Sequence, residues 1–218
     1  KAHELCPGET DILINYSQAL FENGSAAEAF TLLETGGDSP EIRNQKGNLL
    51  FASGKYEEAA AEYEEALKQA PENRTYMENA AEAAARNGSI SRAETLFGAL
   101  QEKTNDPWWY YRLGNLALQK GEFQRAGAAF REAYARDPEN GRYRVTLARH
   151  HAARKEYDEA RVLLVLPGDS PFAPEAREVL AQIERETEDR VTCSLCGRIW
   201  RVPRDIGPQD PVILHGEP

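Results

Sequence analysis

The chain has 218 residues, 28% of them Asp, Glu, Lys or Arg, and a formal net charge of −10. That balance argues against nucleic acid as the main partner, because binding a phosphate backbone draws on a basic surface. No apolar run approaches the roughly 20 residues a membrane-spanning helix needs, no signal-peptide pattern opens the sequence, and its three cysteines do not make a disulfide framework.

Residues 1–9 read as the end of a structural unit, since Ala2 and Pro7 stand at the interval that recurs in Ala66–Pro71 and Ala133–Pro138. On this reading the chain is a piece of a longer protein, and Cys6 is a packed thiol in the turn between units. The first complete unit, 10–39, carries Tyr16, Leu20, Gly24, Ala29 and Leu33. It closes early in Gly36-Gly37-Asp38-Ser39-Pro40, which predicts a clipped second helix. The second unit, 40–73, carries Gly47, Gly54, Tyr56, Ala59, Tyr63, Ala66 and Pro71. The third, 74–106, keeps Ala81, Gly88, Ala93 and Phe97, with its closing proline displaced to Pro107. The fourth, 107–140, repeats the second interval for interval as Gly114, Gly121, Phe123, Ala126, Phe130, Ala133 and Pro138. The fifth, 141–169, has Leu147, Ala148, Tyr157 and Ala160, then breaks down at Leu166-Pro167-Gly168. Across 170–190 a last helix is predicted, capped by Ser170 and carrying the apolar stripe Phe172, Ala176, Val179, Leu180 and Ile183. Such a helix, charged on its other face, suits the end cap of a stack. From 191 to 218 the helical period is gone, prolines recur at 203, 208, 211 and 218, and an irregular tail is expected.

Within each unit the pattern has a physical reading. Small residues such as Gly47 and Ala59 let two helices approach closely. Gly54 stops the first helix, and Pro71 cannot continue the second. A helix–turn–helix of this kind cannot bury its apolar face alone and needs neighbours, so the chain is expected to form an all-α solenoid of about five units.

These positions resemble the tetratricopeptide repeat, whose units of about 34 residues place small, aromatic and proline positions in this order. The resemblance implies a right-handed superhelix whose first helices line a concave groove that holds a peptide or partner segment. Carried over residue by residue, it assigns to that groove Asn44, Gln45, Asn48 and Phe51 from the second unit, and Glu78, Asn79, Glu82 and Arg86 from the third. Trp108, Tyr111, Arg112 and Asn115 come from the fourth, with Arg142, Arg149 and Ala152 from the fifth. Amides suit a peptide backbone, and Trp and Arg carry much of the energy at such contacts. Chaperone-binding members clamp a terminal carboxylate with lysines, asparagines and an arginine. Here Asn48, Asn79 and Arg112 fall on three of those positions, but Asn44 and Trp108 replace both lysines, which removes most of the charge that would hold a carboxylate. Trp109 reads as packing between units.

The sequence carries none of the common motifs of catalysis. Gly36-Gly37 lacks the Lys-Ser/Thr of a phosphate loop, and no nucleophile elbow occurs. His150 and His151 are adjacent, point about 100° apart on a helix and so cannot chelate one ion together; His151 occupies a packing position. Glu57, Glu58, Glu62, Glu64 and Glu65 read as a solvated face. In the tail, Cys193 and Cys196 are spaced to take adjacent corners of a tetrahedral zinc site, with Gly197 allowing the tight turn. The pair resembles one knuckle of a zinc ribbon, and His215 is the one other soft ligand nearby. Three readings stay open: half of a zinc site, a pair without metal, and a redox dithiol, which belongs at a helix start after a strand. The expected function is a non-catalytic protein-interaction scaffold; the alternative is an adaptor whose metal knuckle makes a second contact.

Overall fold

A computed structural model describes the backbone of residues 7–192 and 199–203 and the side chains from Glu9 to Thr187. Helices α1 (Pro7–Glu22), α2 (Ala26–Thr35), α3 (Pro40–Ala52), α4 (Tyr56–Gln69), α5 (Arg74–Arg86), α6 (Ile90–Thr104) and α7 (Pro107–Gln119) follow one another without a strand. Then come α8 (Phe123–Arg136), α9 (Gly141–Ala153), α10 (Tyr157–Leu163) and α11 (Ala173–Thr187), and strands β1 (Glu188–Thr192) and β2 (Ile199–Pro203). The chain forms two compact units, Lys1–Ala129 and Phe130–Pro218, which divide within α8.

From α1 to α7 each helix packs on the next, and α3 also meets the first helices α1 and α5. The turn inside every helix pair is the same. After α3, the Gly54 N–H donates to the Phe51 carbonyl and the Lys55 N–H to the Leu50 carbonyl, with Gly54 at φ +75°. This double bond satisfies carbonyls that a helix end would otherwise orphan, and its left-handed residue favours glycine. Gly24, Gly88 and Gly121 hold the same place; in the fifth pair Lys155 holds it, at φ +62°. First helices start on side-chain caps: Ser39, Asn73, Asp106 and Asn140 accept from the amides of Ile42, Tyr76, Trp108 and Arg142. Residues of this type satisfy amide donors that have no partner within the helix. Second helices α2, α4, α6 and α10 have no side-chain cap and rely on the preceding turn.

The core of the first unit runs through Ala59, Tyr63, Ala66, Tyr76, Ala80, Phe97 and Trp109, with a smaller cluster of Ala29, Leu33, Ile42 and Leu49 at its start. Gly47 lies so close to Tyr63 that a Cβ there would meet the ring at 2.5 Å.

In the second unit, α9 packs on α10 and on α11. Gly141 allows the Phe172 ring to approach to within 2.7 Å of where a Cβ would stand. The α10 helix stops after 7 residues, and the Arg144 guanidinium donates to the carbonyls of Leu163 at 3.1 Å and Val165 at 2.6 Å. The stretch read as an irregular tail contains an antiparallel ladder, β1 with β2, running from Glu188↔Pro203 to Thr192↔Ile199. Val191, Thr192, Ile199, Trp200 and Val202 are the β-branched and aromatic residues that strands favour.

Candidate functional site

The candidate residues from 44 to 115 lie on the first helices α3, α5 and α7. The amides of α3 and α5 form one hydrogen-bonded cluster. Asn79 Nδ2 donates to Asn44 Oδ1 at 2.8 Å and to Asn48 Oδ1 at 3.4 Å. Asn48 Nδ2 donates in turn to Gln45 Oε1 at 3.1 Å. Gln45 Nε2 donates to Gln18 Oε1 at 3.1 Å and to Ser17 Oγ at 3.5 Å, which ties the cluster to α1. From α4, the Tyr63 hydroxyl donates to Asn48 Oδ1 at 2.9 Å. Burial pushes the Tyr63 phenol above its ordinary pKa, which keeps it a donor.

Gln45 is buried, so it braces the cluster instead of displaying its amide. Asn44, Asn48, Asn79 and Asn115 are half-buried. Among the described residues, the Asn44 NH2 group, the Asn79 carbonyl oxygen and both ends of the Asn115 amide make no protein hydrogen bond. The cluster therefore offers a donor on Asn44 and an acceptor on Asn79, on a base fixed from the four helices α1, α3, α4 and α5.

Beside it stands a charged and aromatic group. Arg112 Nη2 lies 2.5 Å from Glu82 Oε2, with both side chains mostly covered, at 20% and 28% exposure. The Arg112 guanidinium carbon is 5.0 Å from the Phe97 ring centre and 5.8 Å from that of Trp108. Trp108 in turn tilts against Tyr111, with ring centres 5.2 Å apart. A guanidinium over ring faces gains from their quadrupoles, so Arg112 is held by charge and by stacking together. Phe97 sits on the second helix α6, outside the first-helix positions from which the candidates were drawn. Its ring also stacks on Trp109 at 5.8 Å, and Trp109 is buried with its indole N–H unpartnered among the described residues. Phe51 packs edge-on against Tyr56, with ring centres 5.1 Å apart. Around Glu82, Arg86 adds a second, more exposed pairing at 3.4 Å, and Glu78 is paired with Arg74 at 2.5 Å.

Arg142 and Arg149 belong to the second unit and turn toward α11. Arg142 lies 5.6 Å over the Phe172 ring, and Arg149 reaches Glu178 at 3.7 Å. Ala152 is buried. Of the two histidines, His150 is the buried one, edge-on to Phe130 with ring centres 6.1 Å apart. His151 is half-buried, and its Nδ1 meets Glu156 Oε2 at 2.7 Å. The glutamates of α4 are more than a solvated face: Glu62 meets Arg43 at 2.9 Å and Glu64 meets Arg92 at 2.6 Å. Cys6, Cys193, Cys196 and His215 lie outside the described residues. Among those described, no three His, Cys, Asp or Glu side chains gather as metal ligands, and no helix is long and apolar enough to cross a membrane.

Paired helices with a common turn, a common small-residue register and polar first helices define a helical-repeat solenoid of the protein-interaction scaffold class. Tetratricopeptide-repeat profiles match residues 44–107 and 117–185, together more than half of the chain. The chain belongs to the tetratricopeptide-repeat family. It is 36% identical over 107 residues to an Hsp70-Hsp90 organizing protein of Triticum aestivum, a match that covers 47% of this chain and 18% of that protein. To a TPR repeat-containing thioredoxin of Arabidopsis thaliana it is 30% identical over 125 residues, covering 56% and 18%. It thus spans less than a fifth of the length of these relatives. Among solved structures, MamA of Desulfovibrio magneticus RS-1 superposes with a TM-score of 0.62 at 21% identity, over 81% of this chain and 96% of that one. PilF of Pseudomonas aeruginosa gives 0.61 at 16% identity, over 81% and 89%. YrrB, described as a TPR protein with an unusual peptide-binding site, gives 0.58 at 16% identity, over 78% and 85%. At these identities the likeness shows the fold alone.

Proposed function

We propose that this chain is a non-catalytic scaffold that holds an extended segment of a partner protein along α3, α5 and α7. The observation that carries this reading is the set of open amide groups on Asn44, Asn79 and Asn115 beside the Arg112–Trp108–Tyr111 group. An extended backbone presents donors and acceptors in alternation, which side-chain amides can match without regard to sequence. The aromatic group supplies an apolar anchor of the kind that dominates binding energy. Arg112 is already paired with Glu82, and neither Asn44 nor Trp108 carries charge, so the ligand is recognised along its backbone and apolar side chains, with its terminal carboxylate contributing little.

The test is selection of a displayed random-peptide library on the chain, followed by titration calorimetry of an enriched peptide. Trp108→Ala and the pair Asn79→Ala, Asn115→Ala should each weaken binding at least tenfold while circular dichroism stays unchanged. Binding that is indifferent to all three changes moves the ligand off these helices. Amidation of the peptide C-terminus should alter affinity less than twofold; a large loss would restore the carboxylate clamp.

The ladder that ends at Thr192↔Ile199 favours a second activity. The segment 193–198 joins the two strands and carries both Cys193 and Cys196. A connection between antiparallel strands suits a zinc knuckle better than a redox dithiol, which needs a helix start. Two thiolates supply half of a tetrahedral set, and His215 is available to add to it. Elemental analysis of the purified full-length protein should find zinc, lost in Cys193→Ser; no zinc in the parent removes this reading.

A further inference from the structure

A side-chain amide can be turned over, which exchanges its donor and acceptor ends, so the end it shows to a partner depends on what holds its other side. The amide cluster of α3 and α5 is held at its α1 end by groups that act in one sense alone. The Glu22 carboxylate accepts from Gln18 Nε2 at 2.7 Å, which turns Gln18 Oε1 toward Gln45. The fully buried Ser17 hydroxyl gives its proton to the Ile14 carbonyl at 2.8 Å and leaves its lone pairs for Gln45. Gln45 therefore turns Nε2 toward α1 and Oε1 toward Asn48, and Asn48 answers with Nδ2.

A second constraint comes from the core. The Tyr63 hydroxyl is buried, and among the described residues Asn48 Oδ1 is the acceptor it meets. Turning Asn48 over would leave a buried donor without an acceptor, which is the costly case. The two constraints agree. Asn48 shows its oxygen to α5, Asn79 answers with Nδ2, and the same Nδ2 donates to Asn44 Oδ1. What is left open is a donor on Asn44 and an acceptor on Asn79. A reversed Asn48 would instead turn the Asn79 NH2 group outward.

We propose, resting on the reading that α3 and α5 hold an extended backbone, that the buried Tyr63 and Gln45 are positioning residues that give this site one polarity: Asn44 takes a carbonyl of the bound segment and Asn79 takes an N–H. The consequence is a rule of specificity. The bound residue whose N–H meets Asn79 cannot be proline, which has no N–H to give.

The test has two readouts. In the free protein, nuclear magnetic resonance should find the Asn79 side-chain NH2 protons exchanging with water at least about threefold more slowly than those of Asn44. Tyr63→Phe keeps the ring against Gly47, and Gln45→Met keeps the side-chain volume. Each should narrow that difference, and together they should abolish it. The second readout uses a peptide enriched on the parent from the displayed library, with analogues in which each backbone N–H in turn is replaced by an ester oxygen. One ester should weaken binding about tenfold with the parent and less than about twofold with Asn79→Ala, which identifies the N–H that Asn79 reads. With Tyr63→Phe, Gln45→Met the cost of that ester should fall below about threefold. A general loosening of the fold would weaken the peptide and all its esters alike and leave their ratio unmoved. An unmoved ratio, the absence of such an ester, or equal exchange at Asn44 and Asn79 in the parent overturns the proposal and leaves the peptide site standing. A library that yields no peptide sensitive to changes on α3 and α5 overturns the site, and this proposal with it.

Discussion

The α3–α4 and α9–α10 pairs are one design filled in two ways. Both first helices start on a side-chain cap and end in the same left-handed turn. Aligned on that turn, Gly47 corresponds to Ala148, Tyr63 to Leu164 and Ala66 to Pro167. In α3–α4 the absence of a Cβ at residue 47 admits the Tyr63 ring, whose hydroxyl then reaches Asn48. In α9–α10 an alanine faces a smaller leucine, and both are buried. Proline in place of Ala66 stops the second helix: α10 has 7 residues where α4 has 14. A proline excludes its predecessor from helical geometry and brings no amide. The difference teaches that the repeat register sets where helices turn, while paired side chains decide how the space between them is filled, and only the Gly–Tyr filling links the core to the amide cluster.

That distinction can be broken by exchanging the fillings. Gly47→Ala should cost about 2 kcal/mol, because the added methyl meets a packed ring. Tyr63→Leu should cost about 3 kcal/mol through the cavity and the lost bond to Asn48. The double variant copies the α9–α10 filling and should recover at least about 1 kcal/mol relative to the sum. Urea unfolding of the four proteins measures this coupling, and strict additivity would mean that the two residues do not share one space.

The short second helix of α9–α10 ends against Arg144, which holds the carbonyl of its last residue, Leu163, and that of Val165 just beyond it. Arg144→Met keeps the aliphatic stem and removes the donors, at a cost of about 1–2 kcal/mol. Amide exchange should accelerate in α10 and leave α3–α4 unchanged.

Much of this was legible in the sequence, because a repeated interval reports the backbone. Gly24, Gly54, Gly88 and Gly121 mark turns that only a left-handed residue closes, and their spacing announces the helix pairs. Side-chain partners were less legible, since they depend on contacts between helices distant in sequence. Nothing in the repeated pattern of residues 40–140 says that Tyr63 binds Asn48, or that Arg112 rests on Phe97 of a second helix. Arg142 and Arg149 bear the residue type expected of a groove, yet Phe172, just ahead of α11, and Glu178 within it are their partners. The β1–β2 ladder was hidden by frequent prolines, although its β-branched residues were visible.

Lys155 sharpens the comparison further. It is the one turn residue of the five pairs that is not glycine, and at φ +62° a side chain is strained. Lys155→Gly should stabilise the second unit by about 1 kcal/mol, read as a rise in Tm of about 2–4 °C. Gly54→Lys in α3–α4 should cost a similar amount. An unchanged Tm in both would mean that the turn does not limit stability.

The smallest effect lies in pH. The same alignment sets His150 against Leu49 and Leu116, so an ionisable ring occupies an apolar core position of the second unit. Burial, and then the positive neighbours His151, Arg154 and Arg131, hold its pKa below the ordinary 6.5, against the pull of Glu156. The unfolded chain therefore takes up this proton first as pH falls. Its contribution to stability is complete above about 6.5 and declines as pH drops toward the folded value. Glu156 is lowered as well, by Arg154 and His151, so its contribution is lost only in the carboxylate range, below its ordinary 4.5. Between pH 7 and pH 5 the histidine is thus the separable cause. Tm should fall over that interval in the parent, and the fall should be smaller in His150→Leu, which gives α9 the residue that α3 already has. A fall of equal size in the variant would assign the pH dependence to another group.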